Sequence, residues 1–427
     1  MRSRRALIAL WAAAAVTSIT LNGQSSGEQA RNLQTLAVSG ASNSTPSLAA
    51  EGRTVAAVWT ATKDGSTNVY FALSNDGGTI FSPPKQVNDL DGDAGATNEQ
   101  PPRVTISRSG AARTFTVVWS KRDPGPQDTR RDIIRMARST DGGRTFSPAR
   151  FTHDPSFSGA RGWESLAVGG NEVVHAVWLD GREAGKKVAA MAHGGTPHKG
   201  QPPQEIYHGT LGADGRMIET RIAEDVCFCC KTAVAVDSRG DVYAAWRHVF
   251  PGSMRDIAFA RSTDGGRHFT PLVRVSEDNW ELNGCPEDGP SLAVDSSGTI
   301  HIAWATVVND GEPHKALFYA TSRDGKVFSR RTQVPTSAMS TPGHPQLALM
   351  SNGGVAIVFD EAIGGARRVS LARVLRNNEL QVPEVLSADE SASQPVITTT
   401  PGELLVAWTS RSGSSSNPST IRLRRVR

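Results

Sequence analysis

Hydrophobic and polar positions alternate in short runs along most of this chain, and one alternating pattern occurs seven times. Each copy contains a short apolar stretch, a turn with Gly, and a second alternating run that ends in an aromatic residue, as in "SLAVDSSGTIHIAW" (291–304). Alternation with a period of two between turn residues predicts β-strands. The seven terminal aromatic residues are Trp59, Trp119, Trp178, Trp246, Trp304, Phe359 and Trp408.

The spacing of these aromatic residues, between 49 and 68 positions, indicates a tandem array of one supersecondary unit. Each copy continues with a third strand such as "RDIAFARS" and a fourth such as "FTPLVRVS". Four antiparallel strands per unit describe a propeller blade, so the sequence predicts an all-β propeller of seven blades, or six if one copy is not a blade. The last copy has three strands, and we expect "LQTLAVS" (33–39) to pair with it and close the ring.

The turn between the third and fourth strands carries a second repeated motif. It occurs as "SNDGGTIF" (74–81), "STDGGRTF" (139–146), "STDGGRHF" (262–269) and, one residue shorter, "SRDGKVF" (322–328). The motif resembles the Asp-box, or bacterial neuraminidase repeat, of the sialidase superfamily. We expect Asp141 and Asp264 to accept backbone N–H groups, and the paired glycines to adopt positive φ. The resemblance implies a sialidase-like propeller in which these boxes are structural and do not identify an activity.

The N-terminus has the layout of a secretory signal peptide within residues 1–30. A basic segment, "MRSRR", precedes eleven apolar residues, "ALIALWAAAAV", which are too few to span a bilayer as a helix. An uncleaved anchor is the alternative. We expect the mature protein, 31–427, to be one propeller domain without a membrane span, secreted or periplasmic. A net charge of +4 on 427 residues gives no indication of nucleic-acid binding.

Strand order predicts which loops form the ligand site. Connections before the first strands and after the second strands of each blade share one face, opposite the Asp-box turns. In propellers of this kind the ligand site is at the axis on that face. Several arginines and carboxylates there favour a carbohydrate or other anionic ligand, because Arg binds carboxylates through two parallel hydrogen bonds. The candidate ligand-binding residues are Arg122, Arg182, Arg247 and Arg411, and the other loop residues of this face include Glu99, Asp288 and His344.

The resemblance to sialidases implies three arginines on a substrate carboxylate, an Asp acid/base and a Tyr nucleophile activated by Glu. Asp180 is the candidate acid and Tyr207 the candidate nucleophile, whereas the Arg-Ile-Pro motif of the family is absent. Other glycosidases need two carboxylates roughly 5 Å or 6.5–9.5 Å apart. Asp180, Glu164, Asp288 and Glu361 can supply such a pair.

Three of the four cysteines lie in "DVCFCCK" (225–231), and Cys285 is the fourth. Aligning the fourth and fifth copies places Cys227 opposite Cys285 on the adjacent blade. One interpretation is a Cys227–Cys285 disulfide, with Cys229 and Cys230 as a vicinal pair or as free thiols. Another is a Cu or Zn site, because Cys, His and Met are ligands of soft metals, although C-x-C-C is not a standard zinc spacing. Thiol redox chemistry is a third. The candidate ligands beside the cysteines are Met191, His193, His198, His208, His248 and Met254.

Three functions follow from these features. The first is a glycan-directed protein, with exo-sialidase-like glycoside hydrolysis as its enzymatic form. The second is a periplasmic Cu- or Zn-binding protein built on the cysteine cluster. The third is a binding scaffold without enzymatic activity, in which the cysteines only join blades.

Overall fold

Seven sheets contain all the strands in the part of the chain that the structure describes. The computed structural model describes residues 33–427 except 96–98, 124–130, 153–158, 184–203, 213–216, 283, 285, 310, 388–390 and 414–416. Each sheet has four antiparallel strands, in the order of a propeller blade. The prediction of an all-β, seven-bladed propeller is confirmed, and the six-bladed alternative is wrong. Among the described residues no helix has the length and apolarity needed to cross a membrane. The predicted signal peptide lies outside them.

The strands of each blade follow one another outward from the axis. The innermost strands of blades 1 to 7 are β2 (Ser42–Glu51), β6 (Arg103–Ser109), β10 (Arg161–Val168), β14 (Ala233–Val236), β18 (Ser291–Val294), β22 (Thr341–Leu349) and β26 (Ser391–Thr400). The second strands are β3 (Thr54–Lys63), β7 (Ala112–Asp123), β11 (Val174–Asp180), β15 (Val242–Arg247), β19 (Ile300–Val308), β23 (Val355–Ile363) and β27 (Glu403–Arg411). The third strands are β4 (Ser66–Ser74), β8 (Arg131–Ser139), β12 (Gln204–Leu211), β16 (Ile257–Ser262), β20 (His314–Ser322), β24 (Ala366–Val374) and β28 (Thr420–Val426). The outermost strands are β5 (Lys85–Gln86), β9 (Arg150–Phe151), β13 (Met217–Val226), β17 (Val273–Arg274), β21 (Thr332–Gln333), β25 (Glu384–Val385) and β1 (Leu33–Leu36).

The ring is closed by the two ends of the described chain. Strand β1 pairs antiparallel with β28, from Leu33 opposite Arg424 to Leu36 opposite Ile421. The N-terminal strand therefore completes the seventh blade, as predicted. This pairing covers the edge of β28 that a three-stranded blade would expose.

The aromatic residue of each second strand fills the space between neighbouring blades. All seven side chains are buried, and their hydrophobic surface forms much of the core. The buried indole N–H groups find acceptors nearby: Trp59 donates to Asn43 Oδ1 over 2.9 Å and Trp119 to the Asp93 carbonyl over 2.6 Å. Burial with a satisfied N–H explains why the sequence pattern returns to Trp at this position.

The strand registers define two faces of the propeller. Arg161 at the start of β10 pairs with Asp180 at the end of β11, so the starts of innermost strands and the ends of second strands share one face, here called the axial face. Ser74 at the end of β4 pairs with Val55 near the start of β3. The turns between third and fourth strands therefore lie at the opposite end, here called the turn face.

The four repeated turns on the turn face use one set of hydrogen bonds. In the turn of blade 2, Asp141 Oδ1 accepts the backbone N–H groups of Arg144 and Thr145, each over 3.0 Å. Ser139 Oγ donates to Asp141 and accepts the N–H of Gly143. Hydrogen bonds from Thr145, first from its side chain and then from its backbone, lower the pKa of Asp141. The carboxylate thus satisfies N–H groups that the turn would otherwise leave unpaired.

In the three eight-residue turns, the second glycine packs directly on the preceding blade. A Cβ at Gly143 would lie 2.5 Å from the ring of Phe71, and a Cβ at Gly266 would overlap His208. Gly266 has a φ of 92°, which also favours glycine. The following Phe269 lies against His208, with ring centroids 5.4 Å apart. The turns therefore join neighbouring blades.

Candidate functional site

A central channel of about 170 Å³ follows the propeller axis and is lined by innermost strands of all seven blades. At its axial face, side chains from five blades converge. We call this group the axial cluster. Its members are Glu99, Lys231, Asp288, His344 and Gln394.

His344 lies at the centre of the axial cluster because a bulge in β22 turns its backbone to a φ of 53°. Its Nε2 lies 3.1 Å from Glu99 Oε1 of blade 2, on the other side of the axis. Its Nδ1 lies 2.9 Å from Asp360 Oδ1 in its own blade. Its backbone N–H donates to Asp288 of blade 5 over 3.0 Å. Only the closed ring brings these four residues together.

The carboxylates around His344 favour its charged form. Burial opposes the positive charge, but the charge and hydrogen bond of Asp360, the hydrogen bond of Glu99 and the charge of Asp288 raise the pKa of His344 to about 9. The imidazole is therefore protonated near neutral pH, and both ring nitrogens carry protons. A buried imidazolium between carboxylates can hold an anion or donate a proton.

Lysines balance the remaining carboxylates of the axial cluster. Lys315 Nζ lies 2.7 Å from Asp288 Oδ2, and Lys231 Nζ lies 3.8 Å from Glu99 Oε2. Although burial opposes the charge of Asp288, Lys315, His344 and Lys231 lower its pKa to about 2. Charges of both signs are thus concentrated where the channel opens.

Glu164, a predicted catalytic residue, is buried beside this cluster at the start of blade 3. Ser120 donates to its Oε2 over 3.2 Å, while its buried Oε1 has no hydrogen-bond partner in the part of the chain that the structure describes. Burial raises the pKa of Glu164. Arg103, which lines the channel, interacts electrostatically with both Glu164 and Glu99. A carboxylic acid with a raised pKa and an unused oxygen is suited to proton transfer.

Asp180, the predicted acid, is held as an ion inside blade 3. Its Oδ2 accepts Arg182 Nη2 over 2.6 Å, Trp178 Nε1 over 3.0 Å and Arg161 Nε over 3.1 Å. Burial opposes its charge, but the hydrogen bond from Arg182 and the charges of Arg161 and Arg182 lower the pKa of Asp180. These contacts hold the Asp180 carboxylate between Arg161, Trp178 and Arg182.

Tyr207, the predicted nucleophile, lies in β12, the third strand of blade 3. Because strands are about 4.8 Å apart, this position is roughly 10 Å outward from the innermost strand. Its hydroxyl donates to Glu205 over 3.2 Å, and the guanidinium of Arg182 lies 4.3 Å from its ring centroid. Burial and the charge of Glu205 raise the pKa of Tyr207 to about 12.

The four predicted ligand-binding arginines do not meet at one point. Arg122 is 51% exposed at the end of β7, and Arg411 is exposed at the end of β27. Arg182 pairs with Asp180 and with Glu219, each over 2.6 Å. Arg247 is buried and donates only to backbone carbonyls, among them those of Asp288 and Arg255.

Glu361, the last predicted carboxylate, is fixed within blade 6. It accepts the backbone N–H of Ser337 over 2.9 Å, Ser370 Oγ over 2.9 Å and Arg368 Nε over 3.1 Å. Burial opposes its charge, but hydrogen bonds from Ser337 and Ser370 lower the pKa of Glu361. Its contacts join the second and third strands of the blade.

The three clustered cysteines lie next to the axial cluster, immediately before Lys231. Their sulfur atoms lie within 4.8 Å of one another, so the group can hold a metal. Cys227 and Cys230 carry free thiols 3.2 Å apart, and Cys229 is bonded in a disulfide. The expected Cys227–Cys285 staple and the vicinal Cys229–Cys230 pair are therefore both wrong. Cys227 Sγ faces Cys230 because the chain turns back at residues 228–229. Cys285 lies outside the described residues.

The two free thiols differ in their surroundings. A hydrogen bond from Cys230 lowers the pKa of Cys227, and the charges of Arg247 and Arg255 act in the same direction. Burial and the neighbouring Cys227 sulfur raise the pKa of Cys230. Cys227 is therefore the sulfur that ionises first.

The histidine candidates divide into two groups. Met191, His193 and His198 lie outside the described residues. His208 was expected on the axial face, but it lies buried in β12 against a turn-face glycine and 3.0 Å from His175. Burial lowers the pKa of both imidazoles to about 4. His248 is buried in blade 4, where the Trp246 indole N–H points to its Nδ1 over 3.5 Å.

Sequence reasoning did not select Lys231, Gln394 or Arg103 as site residues. In each blade, one innermost-strand residue pairs with the residue directly before the terminal aromatic. Lys231, His344 and Gln394 each lie two residues before that innermost-strand residue, so they occupy equivalent positions. Aligning all seven copies of the repeat at the position of His344 would have identified Lys231 and Gln394.

No protein-family model and no curated protein matches this sequence. Solved structures with similar folds include the GH93 α-L-arabinofuranosidase of Fusarium graminearum, at 12% identity and a TM-score of 0.51, covering 93% of this chain and 97% of that chain. The polysaccharide lyase Uly1 is similar at 9% identity and a TM-score of 0.53, covering 89% of each chain. The sialidase of Trypanosoma rangeli gives 11% identity and a TM-score of 0.46, covering 90% of this chain and 55% of that one. At these identities the likeness shows the fold alone.

Proposed function

We propose that this protein is glycan-directed and binds its ligand at the axial face, in contact with the axial cluster. The observation that carries the proposal is the ion pair between Glu99 and His344, which joins blades 2 and 6 across the axis. Charged and amide side chains that converge on one channel mouth suit a ligand rich in hydroxyl groups or carboxylates. Two structural neighbours with TM-scores above 0.5 are named for carbohydrate-cleaving activities, which agrees with this class of ligand.

The enzymatic form of the proposal is hydrolysis of a glycosidic bond. Glu164 would protonate the leaving oxygen, because burial raises its pKa. Glu99 would supply the second carboxylate, and Arg103 interacts electrostatically with both carboxylates. The exo-sialidase-like form is supported by the Tyr207–Glu205 hydrogen bond, since a Tyr beside a Glu is the nucleophile that the sialidase resemblance implies.

The experiment is a binding and turnover screen with a polysaccharide panel, aryl glycosides and a fluorogenic sialoside. We expect the wild type to act on at least one member and Glu164→Gln to lower kcat by roughly 10² to 10⁴-fold, the usual contribution of a general acid. Glu172, exposed in the turn between β10 and β11, lies on the turn face. Glu172→Gln therefore serves as the matched control and should keep wild-type kcat. Binding without turnover would support the scaffold form. Neither binding nor turnover on any member would reject the proposal.

The four Ser-Asp-Gly turns support assignment of the chain to Asp-box propellers. Their shared hydrogen bonds fit a structural motif that holds blades together. We also propose that residues 1–30 direct export, so that the propeller acts in the periplasm or outside the cell. Replacing this segment's apolar run with Ser and Gln should leave the protein in the cytoplasm, as judged by cell fractionation.

A Cu or Zn site at the cysteines is the second candidate, because three sulfur atoms lie within 4.8 Å. A structural zinc site needs four ligands, and the described residues offer two free thiols there. Cu(I), which accepts two thiolates, fits this set better. Metal analysis after anaerobic loading tests the candidate: one equivalent that is lost in Cys227→Ser would support it.

A further inference from the structure

The cysteine segment contains a pair that the glycan function does not use. Cys227 and Cys230 have the spacing C-x-x-C, their thiols are free, and their sulfur atoms lie 3.2 Å apart. A disulfide between them requires the sulfurs to approach by about 1.2 Å, because the S–S bond is about 2.0 Å long. The chain direction already brings the two side chains face to face.

The protein surrounds this pair with positive charge. Arg247 and Arg255 are both buried, and in the described part of the chain neither pairs with a carboxylate. Arg247 donates to backbone carbonyls and Arg255 Nε to the Leu282 carbonyl over 3.0 Å. Backbone oxygens leave the net charge of a guanidinium uncompensated. The charges of both arginines act on the Cys227 sulfur, and the Cys227 backbone N–H donates to the Arg247 carbonyl over 3.0 Å.

Hydrophobic side chains cover the pair. Trp163 and Phe228 pack against the cysteines, and the guanidinium of Arg255 lies 6.0 Å from the ring centroid of Phe228. All three sulfurs of the segment are buried. A covered pair exchanges slowly with reagents.

We propose that Cys227 and Cys230 form a redox couple that exchanges with an external disulfide. The Cys227 thiolate attacks one sulfur of the disulfide RSSR, giving a mixed disulfide and releasing RS⁻, which takes up a proton. Cys230 then loses its proton and attacks the Cys227 sulfur, which releases the second RS⁻. Overall, two protein thiols and RSSR become one protein disulfide and two RSH. The arginines stabilise the thiolate form, which makes the protein disulfide the stronger oxidant.

The test is a redox titration of the full chain in mixtures of reduced and oxidised glutathione, followed by acid quenching and thiol alkylation in denaturant. Glutathione leaves structural disulfides intact, so the bond at Cys229 should persist. We expect two thiols per chain to disappear in one step. The tryptic peptide 222–231, still linked through Cys229 to a second peptide, should carry the new bond. Cys227→Ser and Cys230→Ser should each abolish the two-thiol step and leave at most a mixed disulfide with glutathione.

Variants at Arg255 test the role of the charge. Arg255→Gln should favour the protein disulfide and shift the midpoint ratio of reduced to oxidised glutathione by at least about threefold, whereas Arg255→Lys should shift it less. Equal midpoints would overturn the role of the arginine. Two thiols that persist in the most oxidising mixture would overturn the couple, and so would a co-purifying metal ion that protects them. If the serine variants do not fold, the wild-type peptide mass still decides between a bond and two thiols.

Discussion

The turn face and the axial face are built from the same repeat, yet they use it in opposite ways. On the turn face, one Ser-Asp-Gly arrangement recurs with the same hydrogen bonds in four blades. On the axial face, each blade presents a different side chain at the equivalent innermost position. In blade order those residues are Thr45, Pro101, Trp163, Lys231, Gly289, His344 and Gln394.

This difference separates structure from chemistry. A repeated contact solves a problem that every blade shares, namely how to hold a turn and join it to the preceding blade. A position that differs in every blade solves no common packing problem. At the axis, Lys231, His344 and Gln394 join Glu99 and Asp288 in the axial cluster. The repeated structural contacts and the candidate functional side chains therefore lie at opposite ends of the same strands.

The largest expected effect comes from a buried ion pair of the axial face. Asp180→Asn should lower the free energy of unfolding by about 3–5 kcal/mol, because it removes the buried negative charge that lies 3.1 Å from Arg161. Urea denaturation measures the loss. Asp141→Asn on the turn face is the control and should cost less, because Asp141 is only partly buried whereas Asp180 is fully buried. A smaller loss for Asp180→Asn than for Asp141→Asn would reverse the comparison.

The next effect is a pH dependence of the axial cluster. Because the pKa of His344 is raised from 6.5 to about 9, its stabilisation is complete below pH 6.5 and is lost as pH rises through 9. The difference in unfolding free energy between wild type and His344→Gln should shrink by about 3 kcal/mol across this window. The difference between the two proteins is measured because the lowered pKa of Cys227 adds stability to both of them as pH rises, and this contribution cancels. A pH-independent difference would show that His344 is not charged.

The smallest effect compares two adjacent glycines of one turn. Gly265 and Gly266 have φ values of 75° and 92°, so alanine is strained at both. Only Gly266 has a neighbour in the way, the ring of His208 from the preceding blade. Gly266→Ala should therefore destabilise by about 1–3 kcal/mol more than Gly265→Ala. Thermal unfolding of both variants measures the difference, and equal losses would argue against a joining role for the turn.

Much of the fold was predictable from the sequence, because each blade is a local unit with its own period, turns and terminal aromatic. The pairing of β1 with β28 was also predictable. The last copy has three strands and one strand precedes the first copy, so pairing the two completes the seventh blade and covers its open edge. The site was predictable only in part. Glu164 and the C-x-C-C segment were selected, but Arg182, Arg247 and Asp180 were expected to face a ligand and instead lie in fixed internal contacts.

The sequence by itself determined the strands and the end of each blade that carries loops with diverse charges, because both depend on residues within one copy of the repeat. It also determined the number of blades, because the repeat occurs seven times. The tertiary structure decided which charges meet. Glu99 and His344 are 245 positions apart in the sequence, and only closure of the ring places their side chains 3.1 Å apart. The tertiary structure also decided that Cys227 faces Cys230, because the direction of a side chain in a tight turn depends on the neighbouring blades that enclose it.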